Sequence, residues 1–444
     1  RMVKKMKKAN VIGAGLAGVE VAWKLANAGI AVSLYEMKPN RKSEAHQLDS
    51  MAELVCSNSL RSNMPENAVG LLKEEMRNLG SLVMAAADAT RVPAGGALAV
   101  DRKLFSAYIT DKIRNHKNID IINEEVCDLD FKEITIIATG PLTSDSLSKK
   151  IEALVGQEYL SFFDAAAPIV SAQSVDMDKA FFASRYDKGD ADYLNCPMDE
   201  KQYMAFYNAL VEAETVTLKG FEKKSVFEGC LPVEVMAKRG IKTLLFGPMK
   251  PVGLIDKRNG KRSFAVVQLR KENKNATMFN LVGFQTNLKH GEQKRVFSMI
   301  PGLENADFVR LGVMHRNTFL NSPKILDNRY KLKKSSNVYF AGQITGVEGY
   351  VESASSGLLC GIYAASEILG KTVEDFDDTC AIGALSQYIS NSFTNNFQPM
   401  NVNFAIIKAS EIRIKQKKLR NLAISERALQ YIKDMKSKYS LLEE

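Results

Sequence analysis

Val11–Gly18 reads VIGAGLAG, and the residues around it dictate a strand, a tight glycine turn and a helix in that order. Asn10-Val11-Ile12 has the character of the end of a buried strand. Gly13-Ala14-Gly15-Leu16-Ala17-Gly18 then turns into a helix predicted to run to about Ala28. Each glycine has its own reason: Gly13 permits the turn, Gly15 lets a pyrophosphate approach the backbone, and Gly18 lets the helix pack close to the sheet. The phosphates are thereby left at a helix N-terminus, where free N–H groups and the helix dipole favour anions. A second strand, Ile30–Tyr35, ends in Glu36, a carboxylate placed to accept hydrogen bonds from an adenosine ribose. An unphosphorylated ribose, as in FAD or NAD, fits that carboxylate better than NADP does.

Two later segments favour FAD. Ile134–Gly140 (ITIIATG) is a strand running into a glycine turn, and Asn337–Tyr350 (NVYFAGQITGVEGY) repeats the pattern ahead of an apolar, small-residue helix predicted through about Ala365. A nucleotide fold that closes so far downstream implies that the residues between are inserted. The expected fold class is α/β: a discontinuous Rossmann-type FAD-binding domain (1–150 and 316–404) carrying an inserted α/β domain (151–315), then a basic C-terminal helical segment (405–444).

The chain has 444 residues, enough for two or three domains with full cores, and 45% apolar against 25% charged residues is ordinary for a soluble protein. The sequence contains no apolar stretch near the ~18 residues that a membrane helix needs. The basic start, RMVKKMKK, precedes an apolar run broken by glycines with no cleavage pattern, so no signal peptide is expected and a cytoplasmic location is. Arg1, ahead of Met2, is expected to be foreign to the natural chain. The net charge is +9, and residues 405–444 carry ten Lys/Arg against five acids. That balance suits an anionic partner, nucleic acid first, as well as it suits a merely solvated surface.

Cys56, Cys127, Cys196, Cys230, Cys360 and Cys380 include no CxxC and no close pair, which argues against a disulfide framework. The four histidines are equally scattered, and no metal site is expected. Cys56 in AELVCSNSLRSN (52–63) and Cys230 in FEGCLPVEVMAKRG (227–240) differ from the rest in having polar, charged surroundings. Such thiols suit a reaction with a covalent intermediate, a redox pairing, or plain burial.

The chain resembles the bacterial folate- and FAD-dependent uridine-5-methyltransferases of the tRNA T-loop. The motifs that carry the likeness run almost from end to end. They include AELVCSNSLRSN, NAVGLLKEEMRNLGSL (67–82), VPAGGALAVDR (92–102), DAAAPIV (164–170), SRYDKGDADYLNCPM (184–198) and FEGCLPVEVMA (227–237). Further on come LLFGPMKPVGL (244–254), FAVVQLR (264–270), VRLGVMHRNTF (309–319), FAGQITGVEGYVES (340–353) and FQPMNVNF (397–404). The resemblance implies methylation of uridine carbon 5 in RNA, with methylenetetrahydrofolate as carbon donor, FAD as methylene and hydride carrier, and NADPH or NADH as reductant. It also implies Cys230 as the nucleophile adding to uracil carbon 6, Cys56 as general base or resting-state partner, and Tyr350 as an aromatic on the flavin. Gly13, Ala14, Gly15, Leu16, Ala17, Gly18, Glu36 and Gly342 take the cofactor-binding places. Glu348, Glu352 and Arg61 are further polar candidates, and Trp23 is expected in the core.

The chain departs from the pattern at His290, where the family usually has Trp, at Ala405, in residues 37–51 and in the basic stretch 408–438. The implied partner is RNA, most simply tRNA, with ribosomal RNA as the alternative acceptor and no obligate protein partner. Lys223, Lys224, Arg413, Lys415, Lys417, Lys418 and Arg420 are the candidate phosphate contacts. Two other readings stand beside this one. One is wobble-uridine modification, which would require a partner protein; the other is a flavin-bearing RNA-binding or assembly factor without methylation activity.

Overall fold

The computed structural model describes residues 6–43, 45–156, 159–187, 190–216, 231–256, 258–273, 275–312, 314–391, 397–410 and 414–442. The first strand, Lys8–Ile12, sits at the centre of a five-stranded sheet. Across the sheet the strands run Val338–Phe340, Ile134–Ile137, Lys8–Ile12, Ala31–Tyr35 and Ile119–Ile122, all parallel. Strand order reverses beside Lys8–Ile12, the point at which an open α/β sheet leaves a crevice at the strand ends. The fold is of the Rossmann type.

The helix after the first strand, Leu16–Asn27, packs against the long Tyr350–Leu369 helix, and small residues set how closely. A Cβ on Gly357 would fall 2.3 Å from the Ala17 carbonyl oxygen, and one on Gly361 3.2 Å from the Val21 Cα. The long helix is buried over most of its length, which its Ala/Ser/Gly/Leu composition allows, and it stops at Gly370, in the left-handed region at φ 67.

Between strands Ile134–Ile137 and Val338–Phe340 the chain leaves to build a second sheet. An antiparallel ribbon, Tyr159–Ala165 with Met314–Leu320, flanks the excursion. Six antiparallel strands follow, in the order Phe181–Ala183, Tyr193–Met198, Ala265–Lys271, Met278–Leu281, Ile169–Ser171 and Phe308–Arg310. One face of this sheet holds its own apolar core, with Phe206, Phe284 and Phe297 fully buried.

The C-terminal helix, Lys417–Lys438, lies on the Ala68–Asn78 helix and buries Ile424, Ala428, Ile432 and Met435. Trp23 is partly buried, edge-on to His116 at 5.4 Å. Among the described residues no helix is long and apolar enough to cross a membrane.

Two buried carboxyls act as tertiary caps for helices that lack acids in their first turns. Glu75 accepts from the N–H groups of Ala381 and Ile382, both at 2.8 Å, and Glu20 accepts from Val83 N–H at 2.9 Å and from the Ser81 hydroxyl. Burial, only partly offset by these hydrogen bonds, pushes each carboxyl up to about 7. A carboxyl whose folded-state pKa is raised contributes stability that is complete below its unfolded value and is lost as pH climbs through the folded one. Glu75→Gln removes that titration, so wild type should lose stability relative to this variant between about pH 4.5 and 7, by on the order of 3 kcal/mol. Urea unfolding of both proteins across this range measures the difference; parallel pH profiles would refute it.

Candidate active site

The Gly13–Ala17 turn and the Ala138–Ser144 segment face each other across an open cleft of about 1110 Å³, which Glu36, Gly342 and Tyr350 also line. The glycines divide the work. A Cβ on Gly13 would sit 2.7 Å from the Ala138 carbonyl oxygen, and one on Gly18 1.8 Å from that of Gly13. A Cβ on Gly15 would meet no protein atom within 4 Å. It borders the cleft, so the space kept clear there is space for a ligand. Gly15 also begins the helix without a side-chain cap, and no acid lies in the first turn. The helix start therefore offers unpaired N–H groups to an anion. Gly342, at φ 89, brings the downstream strand end against Ala17, where a Cβ would come within 2.9 Å.

Glu36 is buried, and its two oxygens accept the N–H groups of Ala14 at 2.8 Å and Lys38 at 3.0 Å. The carboxylate thus shapes the turn, and each oxygen keeps a further lone pair for a ribose hydroxyl. The glycine cradle, the uncapped helix start and this acid together fit a dinucleotide with an unphosphorylated adenosine ribose, FAD included.

Cys56 meets Tyr350, a residue of the cleft wall, although 294 residues separate them. Tyr350 opens the long helix, and its phenol oxygen accepts the Cys56 N–H at 2.7 Å and the Ser57 N–H at 3.3 Å. The Cys56 Sγ lies 2.8 Å from the same oxygen. With two N–H groups already donated to the oxygen, the phenol proton is the one left to donate toward sulfur. Burial, reinforced by Cys56, holds the Tyr350 phenol well above its ordinary range, so it stays protonated.

Arginines pin this loop to the second sheet. Arg102 donates to the carbonyls of Leu54 at 2.8 Å and Val55 at 3.4 Å, and forms a buried ion pair with Glu272. Arg270 donates to Asn58 Oδ1 at 3.0 Å and Ser57 Oγ at 2.8 Å. Asn58 Nδ2 returns a bond to the Lys271 carbonyl at 2.8 Å. Burial lowers the pKa of both Arg270 and Arg310. Sequence reading missed Arg102, Arg270, Glu272 and Arg310. Two of these arginines do end motifs singled out above, VPAGGALAVDR and FAVVQLR, and a charge closing an apolar strand is the signal that was there.

The remaining candidates divide. Arg61 forms an ion pair with buried Glu352, whose Oε1 also accepts the Val402 N–H at 2.9 Å. Glu348 accepts from Gln343 at 2.9 Å. Both acids are thus engaged in holding loops around the start of the long helix. His290 is exposed at the first position of the His290–Phe297 helix, and Lys415, Lys417, Lys418 and Arg420 are exposed, with Lys418 3.3 Å from Glu66. Cys230, Lys223, Lys224 and Arg413 lie outside the described residues. Cys196, Cys360 and Cys380 are buried, and burial pushes their thiols up.

The chain as a whole has known relatives. The family described as glucose inhibited division protein A matches residues 8–372. A protein of Acetivibrio thermocellus named methylenetetrahydrofolate–tRNA-(uracil-5-)-methyltransferase TrmFO is 61% identical over 431 residues, covering 97% of this chain and 99% of its own. The chain belongs to this methyltransferase family. Members from Listeria monocytogenes, 59% identical over 96% of the chain, and Heliobacterium modesticaldum, 60% identical over 95%, carry the same name. Among solved structures, Aquifex aeolicus GidA superposes with a TM-score of 0.71 at 17% identity, covering 100% of this chain and 76% of that one, a likeness of fold.

The family's nucleotide cradle makes a separable prediction. Gly15→Ala adds its methyl to open space, so the apoprotein should keep its stability to within ~0.5 kcal/mol while losing bound flavin. Gly18→Ala adds its methyl against backbone and should cost ~1–3 kcal/mol whether or not flavin is present. Thermal unfolding with and without FAD, and flavin absorbance after gel filtration, distinguish the two. Full flavin retention by Gly15→Ala would refute the assignment of that space.

Proposed function

We infer that the protein methylates carbon 5 of a uridine in tRNA, taking the carbon from methylenetetrahydrofolate, with FAD as its bound cofactor and NADH or NADPH as reductant. The observation that carries this is a dinucleotide cleft lined by Tyr350, whose phenol is hydrogen-bonded to Cys56, in a chain 61% identical over nearly its whole length to a protein named for that reaction. The uridine is that of the T-loop, and the enzyme works in the cytoplasm, where its RNA is.

Carbon 5 of uracil is too weak a nucleophile to be alkylated unaided. A thiolate adding at carbon 6 makes it the nucleophilic end of an enolate. Cys230 supplies that thiolate in this reading, and Cys56 takes part in moving the carbon 5 proton. Tyr350 stays neutral and holds the Cys56 loop through its phenol oxygen, with its own proton directed to sulfur. FAD, when bound, supplies the hydride that completes the methyl group. The protein's part is to orient the reactants and exclude water at the inner end of the cleft. A uridine reaches the thiol only when unstacked, so the RNA presents it from a loop or flipped out, and exposed lysines and arginines meet its phosphates.

Methylenetetrahydrofolate labelled in its methylene carbon, given with NADPH to unmodified tRNA and ribosomal RNA transcripts separately, tests the reading. Label is expected in 5-methyluridine at a T-loop position. Label in ribosomal RNA alone would move the acceptor, and label in neither would favour a flavoprotein that binds RNA without methylating it. With 5-fluorouridine tRNA, Cys230→Ala should abolish the covalent adduct. An adduct that survives this change but disappears in Cys56→Ala would exchange the roles of the two thiols.

A further inference from the structure

The face of the second sheet that meets the first domain carries a row of polar groups set by strand register. Arg270 stands opposite Asn280, and Arg310 pairs with Ile169 across a register shift in the outermost strand. Directly opposed residues of antiparallel strands project to the same face, and Glu272, two residues after Arg270, joins Arg270 and Asn280 there. Arg102 arrives from the first domain to pair with Glu272. Three guanidinium groups thus share Glu272 as their carboxylate, next to the Cys56 loop, and Arg310 is within electrostatic reach of both Cys56 and Tyr350.

That charge is not balanced, nor are its hydrogen bonds complete. Among the described residues, Arg102 Nη2, Arg310 Nε and Asn280 Nδ2 are buried without a hydrogen-bond partner, as are Arg102 Nε and both oxygens of Glu272, of which Arg102 Nε and Glu272 Oε1 form the ion pair. Arg102 is 9% exposed and Asn280 3%. Leaving a buried donor unpaired costs ~1–3 kcal/mol, more when it is charged. With three guanidinium groups to one carboxylate, the excess here is of donors and positive charge, which points to a guest that brings acceptors and negative charge.

We propose that Arg102, Asn280 and Arg310 form an oxyanion site for the substrate base, holding uracil oxygen 4 as it becomes an enolate. The assignment rests on the methylation reading above. In the step concerned, a bond forms between thiolate sulfur and carbon 6. The carbon 5–carbon 6 π pair moves between carbons 4 and 5, and the carbonyl π pair comes to rest on oxygen 4. No proton is exchanged, and the charge that began on sulfur ends on that oxygen. Donors fixed in a buried site favour this arrangement over the neutral carbonyl, which is how such groups lower a barrier. The same donors suit any anionic oxygen, including a folate carboxylate. The enolate is favoured because its charge arises during the reaction, and Arg310 lies within electrostatic reach of Cys56.

Arg310→Met and Asn280→Leu test the site in the flavin-loaded enzyme, with 5-fluorouridine tRNA, methylenetetrahydrofolate and NADPH. Rapid-quench measurement of adduct formation should show a loss of ~100-fold or more for Arg310→Met and ~10-fold for Asn280→Leu. RNA affinity by filter binding, flavin content and the KM for folate should stay at wild-type values. An unchanged adduct rate in both variants overturns the proposal. So does a raised folate KM with an unchanged adduct rate, which would give the site to a carboxylate. If Arg310→Met does not fold, Arg310→Lys and Asn280→Leu carry the same test, since lysine keeps the charge and loses the Nε donor. A wild-type protein that forms neither adduct nor 5-methyluridine would overturn the methylation reading itself, whereas unchanged variants of an active enzyme overturn this assignment alone.

Discussion

Close approach between the Leu16–Asn27 and Tyr350–Leu369 helices is the constraint on which the site depends. The two helices are more than 300 residues apart in the chain and come together because Gly357 and Gly361 offer no side chain to Ala17 and Val21. Interhelical contact this close brings the strand end at Phe340–Gly342 onto the first glycine turn, which completes one wall of the cleft. The same contact fixes the start of the long helix, and therefore Tyr350, at the height where its phenol reaches the Cys56 loop. A larger residue at Gly357 would move all three features together, so cofactor cradle and thiol geometry are mechanically one object.

Buried charge does the remaining positioning, and it does so by satisfying backbone. Glu20 and Glu75 cap helices from a distance, Glu352 ties Arg61 to the Val402 amide, and Arg102 collects the carbonyls of the Cys56 loop. Lys73 is fully buried, with its ammonium donating to the Leu60 carbonyl at 2.6 Å, and burial lowers it to about 7. Each of these side chains pays a desolvation cost that a surface residue would not, and each pairs a backbone group that its own helix, strand or loop leaves open. The loops around Cys56 are irregular because they must present side chains at a sheet junction; the charged groups replace the backbone pairing those loops forgo.

The nucleotide half was legible because its constraints are local. VIGAGLAG solves a turn, a ligand clearance and a helix contact within eight residues, and Glu36 follows at the end of the next strand. The observed helix, Leu16–Asn27, ends within a residue of the expected limit, and the second strand begins at Ala31 rather than Ile30. The long downstream helix continues to Leu369, four residues past the expectation, because the stop is supplied by Gly370 and not by the end of the small-residue pattern. Nothing local announces that Cys56 and Tyr350 touch, nor that Arg102, Arg270 and Arg310 gather around Glu272. Those facts come from sheet register and from packing between the two sheets, in which residues more than 200 positions apart become neighbours. An arginine at the end of an apolar strand looks the same in sequence whether it faces water or a buried carboxylate. Its meaning is set by which strand lies beside it.

That dependence on register explains why Cys56 stands at a junction and not within either sheet. A parallel sheet flanked by helices offers its ligands the backbone of turns, which suits a cofactor's phosphates but places few side chains around a reacting base. The antiparallel sheet supplies what is lacking: a face where every second residue projects the same way, so that polar groups from several strands converge without further loops. Chemistry that needs a nucleotide cofactor and a charge-stabilised base at the same point requires both surfaces, turned toward each other. The Cys56–Asn58 segment is where they touch, anchored on one side by Tyr350 and Arg102 and on the other by Arg270 and the carbonyl of Lys271. A single residue replaced on either side therefore alters the relation between the two surfaces, which neither surface could fix by its own packing.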